Sequence, residues 1–91
     1  VILPESFSLD QPYPNPFNPV ATIQFGLPFT HHVSLKVYDL QGRIVSDLIN
    51  TELTTGYHTV HWNAVNTASG VYFVKMTAGD FTQTQKVVLL K

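Results

Sequence analysis

Four histidines are the side chains with the richest chemistry in this sequence, since imidazole ligates metals and moves protons near neutral pH. Their spacing argues against a shared site. His31 and His32 are adjacent, and His58 and His61 are three apart, so on extended backbone each pair points to opposite faces. A zinc site gathers three or four ligands, and these spacings gather none, so His31 and His32 read as turn residues and His58 and His61 as strand residues. The carboxylates Glu5, Asp10, Asp39, Asp47, Glu52 and Asp80 are scattered one to a segment, without the close pair that glycoside hydrolysis requires. Cysteine is absent, which removes disulfides, thiolate sites and thiol nucleophiles. Neither a nucleophile elbow, a phosphate-binding glycine loop nor a zinc-protease motif occurs. The expectation is a protein without catalytic residues, cofactor or metal.

Recognition is the remaining chemistry, and its first candidate is Tyr13-Pro14-Asn15-Pro16-Phe17-Asn18-Pro19. Three X-Pro bonds in this short stretch exclude helix or central strand, because each proline fixes φ and lacks an N–H. The segment reads as a stiff, extended lead-in on which Tyr13 and Phe17 are anchors, with Asn15 and Asn18 bonding nearby turn backbone.

The elements that must position such residues are strands. Ala21, Ile23 and Phe25 alternate with polar residues, as do Val33, Leu35 and Val37. Asp39 to Gly42 reads as a hairpin turn in which Asp39 accepts from backbone N–H groups and Gly42 supplies a positive φ. Arg43 to Ile49 breaks the alternation, which predicts a bulge or helical turn near Ser46. His58, Val60 and Trp62 share one face after a turn at Gly56, with Trp62 at the core centre. Val71 to Thr77 is apolar on both faces over its first half and suits an interior strand. Gly70 permits a tight loop-to-strand junction, and Tyr72 packs inward with its hydroxyl bonded at the sandwich end. A last run from Phe81 to Leu90 ends in Val87-Val88-Leu89-Leu90, apolar on both faces; it is either an interior strand or a surface offered to a receptor. With a short strand at Phe7 to Asp10 the count is about seven antiparallel strands, an all-β, immunoglobulin-like sandwich. Residues 1–12 form a lead-in with the first strand, and residues 13–91 form the domain.

The order of these blocks resembles the C-terminal sorting domain (type A) of the type IX secretion system of Gram-negative bacteria. The resemblance rests on Tyr13 to Pro19, Val37-Tyr38-Asp39-Leu40-Gln41-Gly42-Arg43-Ile44-Val45, and Gly56-Tyr57-His58-Thr59-Val60-His61-Trp62-Asn63. It continues through Ser69-Gly70-Val71-Tyr72-Phe73-Val74-Lys75 and Gln85-Lys86-Val87-Val88-Leu89-Leu90-Lys91. An immunoglobulin-like module of the flagellar hook-capping protein is a relative that shares the turn-glycine and Trp-Asn blocks. The resemblance implies the same fold, and a non-catalytic signal that carries a larger cargo across the outer membrane. It implies as partners the type IX translocon, a sortase-like peptidase that removes the domain, and an N-terminal cargo domain. It implies passage through the periplasm to the cell surface or medium. It also places Gly70, Tyr72 and the block Lys86 to Lys91 in what the machinery recognises, beside Pro14, Asn15, Pro16, Phe17, Asn18, Pro19 and Gly42.

Composition is consistent with a folded recognition domain. Ninety-one residues make one domain, 44% hydrophobic and only 12% charged. A net charge of −1 supplies no basic patch, so nucleic acid is not expected as a partner. Val1 is not an initiator and no signal peptide opens the chain, which reads as the C-terminal piece of a longer precursor; the cleavage that the resemblance implies needs an accessible junction, and Val1 to Ser6 is the place expected for it. Two other readings compete. One is a structural immunoglobulin-like module for adhesion or fibre assembly, in which the N-terminal segment completes a neighbour's sheet and the protein self-associates by strand addition. The other is a carbohydrate-binding sandwich with Tyr38, Tyr57 and Phe73 on one face.

Overall fold

A computed structural model describes residues 2–91, so Val1, and with it the start of the expected cleavage junction, lies outside the described residues. Seven strands follow one another: β1 (Ser8–Leu9), β2 (Val20–Leu27), β3 (His31–Tyr38), β4 (Ile44–Leu53), β5 (Gly56–Asn63), β6 (Gly70–Ala78) and β7 (Phe81–Leu89). They form two antiparallel sheets, ordered β1-β2-β5 and β4-β3-β6-β7. The architecture is the expected immunoglobulin-like sandwich, with β4 paired to β3 rather than placed in the first sheet.

Alternation fixes the inner faces. Ala21, Ile23, Phe25 and Leu27 from one sheet meet Val33, Leu35, Val37, Val74, Met76, Val87 and Leu89 from the other, all of them buried. Trp62 is buried, 3% exposed, but it lies near the end of β5 opposite Ala21 rather than at the core centre expected of it. β6 lies between β3 and β7, as its two-faced apolar pattern predicts. The broken alternation of β4 is bulging rather than helix, because the β3–β4 register shifts between Leu35 and Lys36 and again between Val37 and Tyr38.

Several local expectations are corrected. The first strand is shorter than Phe7 to Asp10, since only Ser8 and Leu9 pair with β2. Tyr13 to Pro19 is not an extended run. It proceeds by bends, its X-Pro bonds at Pro14, Pro16 and Pro19 are cis, and its backbone touches strands only at Tyr13 and Phe17. Tyr13 anchors through its backbone, which exchanges hydrogen bonds with Thr22, while its side chain is 50% exposed. Phe17 is the true side-chain anchor, at 1% exposure.

The N-terminal segment completes its own sandwich rather than a neighbour's. β1 pairs with β2 in the first sheet, whereas Phe17 bridges Leu89 of the second in parallel. The chain therefore crosses the flank between the two sheets and covers the outer edge of β7. Gly26 makes the start of this crossing feasible, because a Cβ there would meet Ser8 Oγ at 2.9 Å and Pro4 Cγ at 3.1 Å.

Candidate recognition site

Strand directions sort the loops into two poles. Tyr38 is opposite Phe73, Gly70 is opposite Leu89, and Val20 is opposite Asn63. One pole therefore holds Phe17 to Pro19, the Asp39 to Arg43 hairpin, the loop before Gly70 and the C-terminal residues. At the other lie the turns after β2, β4 and β6, with Phe7 packed against Phe29 and Phe81. The N-terminal residues come in at this second pole.

Sequence-distant blocks join at the first pole through aromatic rings. Phe17 packs on Trp62 with centroids 5.2 Å apart, and Trp62 meets Tyr72 edge-on at 5.4 Å. The Tyr72 hydroxyl donates to the Ala68 carbonyl four residues upstream, so the ring closes the loop before β6. The inward packing expected of Phe17, Trp62 and Tyr72 is thus met, and what spacing alone did not reveal is that the three rings join in one cluster. Gly70 is the exception to its expected role: its φ is not positive, and a Cβ would find only the Tyr72 ring, at 3.8 Å.

The terminal block is covered on one side by the proline segment. Prolines cannot donate to a strand edge, so side-chain amides do it instead. Gln11 Nε2 donates to the Lys86 carbonyl at 2.8 Å, and Asn15 Nδ2 reaches the same oxygen at 3.4 Å. Asn15 Oδ1 accepts from the Val88 N–H at 3.0 Å, whereas the exposed Asn18 side chain has no hydrogen-bond partner among the described residues. Asn15 therefore bonds distant strand backbone, not the nearby turn backbone expected of it. The Phe17 N–H donates to the Val88 carbonyl, and the Leu90 N–H donates to the Phe17 carbonyl. Val87 and Leu89 are buried, Val88 is half-buried, and Lys86, Leu90 and Lys91 are exposed, Leu90 by 61%. The tail is thus both a core strand and, at its last residues, a surface. Lys91 is held in place at that surface: its N–H donates to Ser69 Oγ and its Nζ to the Val65 carbonyl at 2.7 Å.

The hairpin is fixed by one carboxylate. Asp39 Oδ1 accepts from the N–H groups of Gln41 and Arg43, and Oδ2 accepts from Arg43 Nε at 2.9 Å. The Arg43 backbone N–H foremost, with its guanidinium and the Gln41 N–H, holds the Asp39 carboxyl below the ordinary carboxylate range. Gly42 has φ 82°, as the turn demands. Between this hairpin and the Ser69–Tyr72 strand start lies a shallow depression of about 210 Å³, on whose rim Leu40 is exposed.

The remaining polar groups do not converge. His31 Nδ1 bonds the His32 carbonyl oxygen, His32 bonds Asn50, His58 bonds the Thr54 carbonyl and His61 bonds Thr22. Among the described residues no group of three metal-ligating side chains occurs. The three aromatics read as a sugar-binding face are divided: Tyr38 and Phe73 are neighbours on the four-stranded sheet, while Tyr57 projects from the other.

Comparison with known proteins agrees with this geometry. No curated protein matches the chain. A solved structure of PorZ, an essential bacterial surface component of the type-IX secretion system of Porphyromonas gingivalis, matches with a TM-score of 0.64 and 23% identity. That match covers 96% of this chain but 12% of the PorZ chain, so it establishes the fold. The secretion system C-terminal sorting domain family matches residues 11–90, which takes in both the edge-covering segment and the terminal strand. On that match, the chain belongs to the secretion system C-terminal sorting domain family, the C-terminal signals of type IX secretion.

Proposed function

We propose that the domain is the removable C-terminal address of a longer exported polypeptide, with the cargo joined at one pole and the type IX translocon engaged at the other. The observation that carries this reading is the separation of the poles. Recognition blocks from the two ends of the sequence assemble at the pole with Gly42, Tyr72 and Lys91, leaving the N-terminal pole free for a cargo domain. Leu90, Lys91, Leu40 and the exposed faces of Pro14, Pro16 and Asn18 supply the recognised surface. Ile2, Leu3, Glu5 and Ser6 are exposed, and a sortase-like peptidase would cut in this accessible stretch. The cargo passes through the periplasm to the cell surface or medium, and the domain is substrate rather than catalyst.

Fusing residues 1–91 behind an export signal and a folded reporter should send the reporter to the surface or medium of a host with the type IX machinery. Equal periplasmic retention of fused and unfused reporters would sink the reading. Leu90→Asp with Lys91→Glu alters only exposed side chains, so it should melt like the parent yet lose export. Export that survives in this folded variant removes the tail from the recognised surface.

A further inference from the structure

The opposite flank of the sandwich has a vacancy. A three-stranded sheet faces a four-stranded one, and the strand missing from the smaller sheet is the one beside β5 and above β4. Burial shows the gap directly. The inward-facing residues Val37, Leu35 and Val33 of β3 are fully buried, yet their partners across the ladder, Ser46, Ile49 and Thr51 of β4, are half-buried or exposed. Leu53 and Val60, which flank the gap, are also only partly buried against the core. The first sheet therefore ends above β3 and leaves the inner face of β4 only partly covered.

The edge beside this gap is free to pair. Tyr13 and Thr22 exchange backbone hydrogen bonds, so by alternation Ala21, Ile23 and Phe25 bond toward β5, to Trp62, Val60 and His58. Tyr57, Thr59 and His61 then direct their N–H and C=O groups outward, where no strand among the described residues pairs with them. The other edges are guarded by recognisable devices. β7 is covered by the proline segment, β1 is two residues long, and β4 is bulged twice and carries Asp47 and Glu52. β5 has none of these over its eight residues, with no proline, no Asp, Glu, Lys or Arg, and no bulge between Gly56 and Asn63.

We infer that the free edge of β5 is a strand-addition site that takes one extended segment of a partner polypeptide, uncharged and apolar at alternate residues. The partner's backbone pairs with Thr59 and His61, and its inward side chains cover Ile49, Thr51 and Leu53. A segment without carboxylates or ammonium groups suits the site because β5, and the outer face of the neighbouring β2 at Thr22 and Gln24, carry no Asp, Glu, Lys or Arg to pair with one. A second copy does not fit. The dyad relating two antiparallel β5 strands stands perpendicular to the sheet, so both four-stranded sheets would lie on the same side and each β4 would occupy the other's space.

A synthetic peptide of alternating threonine and valine, about seven residues long, is the probe. Added to the 91-residue protein, it should slow hydrogen exchange at the Thr59 and His61 amides ~10-fold or more. Thr59→Pro removes an outward N–H without touching the β2 ladder, and Thr51→Lys puts a charge under the added strand while leaving β5 intact. Each should weaken peptide binding by about tenfold or more, with Thr51→Lys melting like the parent. Exchange unchanged at Thr59 and His61, or slowed only along β4, overturns the proposal. So does peptide binding that survives in both variants, or a dimer whose β5 amides are protected without peptide.

Discussion

The two flanks of the sandwich meet the same problem, an exposed row of backbone donors and acceptors, and resolve it differently. On the β1/β7 flank the chain covers the edge itself, with a segment so rich in proline that the Gln11 and Asn15 side-chain amides supply donors to the Lys86 carbonyl, while Asn15 Oδ1 accepts from the Val88 N–H. On the β4/β5 flank none of the described residues crosses, β4 is defended by bulges and charge, and β5 is left bare. The difference teaches that the proline motif is more than a linker. It is the part of the fold that covers the terminal strand, so the first and last candidate blocks stand or fall together.

The largest test of this comparison is truncation of its anchor. Phe17→Ala should cost ~3–5 kcal/mol in urea unfolding, because it empties a buried site against Trp62. Leu53→Ala, on the uncovered flank and only partly buried, should cost about half as much or less. Equal losses would mean the two flanks are equally closed. Asn15→Ala should come next at about 1–2 kcal/mol, since it leaves the Val88 N–H without its acceptor, whereas Asn18→Ala should stay within ~0.5 kcal/mol. Similar melting of the two variants would show that β7 does not depend on the amide.

Of the two candidate glycines, Gly42→Ala should cost about 1–2 kcal/mol because an L side chain is disfavoured at its φ of 82°. Gly70→Ala should be nearly neutral to stability, as its Cβ would meet only the Tyr72 ring at ordinary contact distance. If Gly70→Ala melts like the parent but is not exported, the glycine belongs to the recognised surface; matched melting and export would assign it no role.

The smallest effect is that of pH on the hairpin. Asp39 is held below the ordinary carboxylate range in the fold, so its contribution is complete above the unfolded-state pKa and is lost as pH falls through the lowered folded value. The melting difference between the parent and Asp39→Ala should therefore shrink under acid. A difference that persists fully in strong acid would mean that the turn does not depend on the charged carboxylate.

Period-two alternation, with Gly42 and Asp39 at their turn, made the strands and most of the core legible in the sequence, because burial on a sheet repeats every second residue. The bulged β4 was visible as a broken pattern, and Trp62 and Tyr72 as inward aromatics. Other features were decided only by tertiary structure. The sequence showed that Tyr13 to Pro19 could be neither helix nor central strand, but not that it bends across the flank. It showed that the terminal strand must be covered, but not by what. Nor could it show that the close approach at Gly26 admits β1, or that β5 ends a shorter sheet. The physical reason is one of range. Alternation and turn propensity are set by neighbours along the chain, whereas the bonds from Gln11 and Asn15 to β7 join residues more than seventy positions apart and exist only once both sheets have packed.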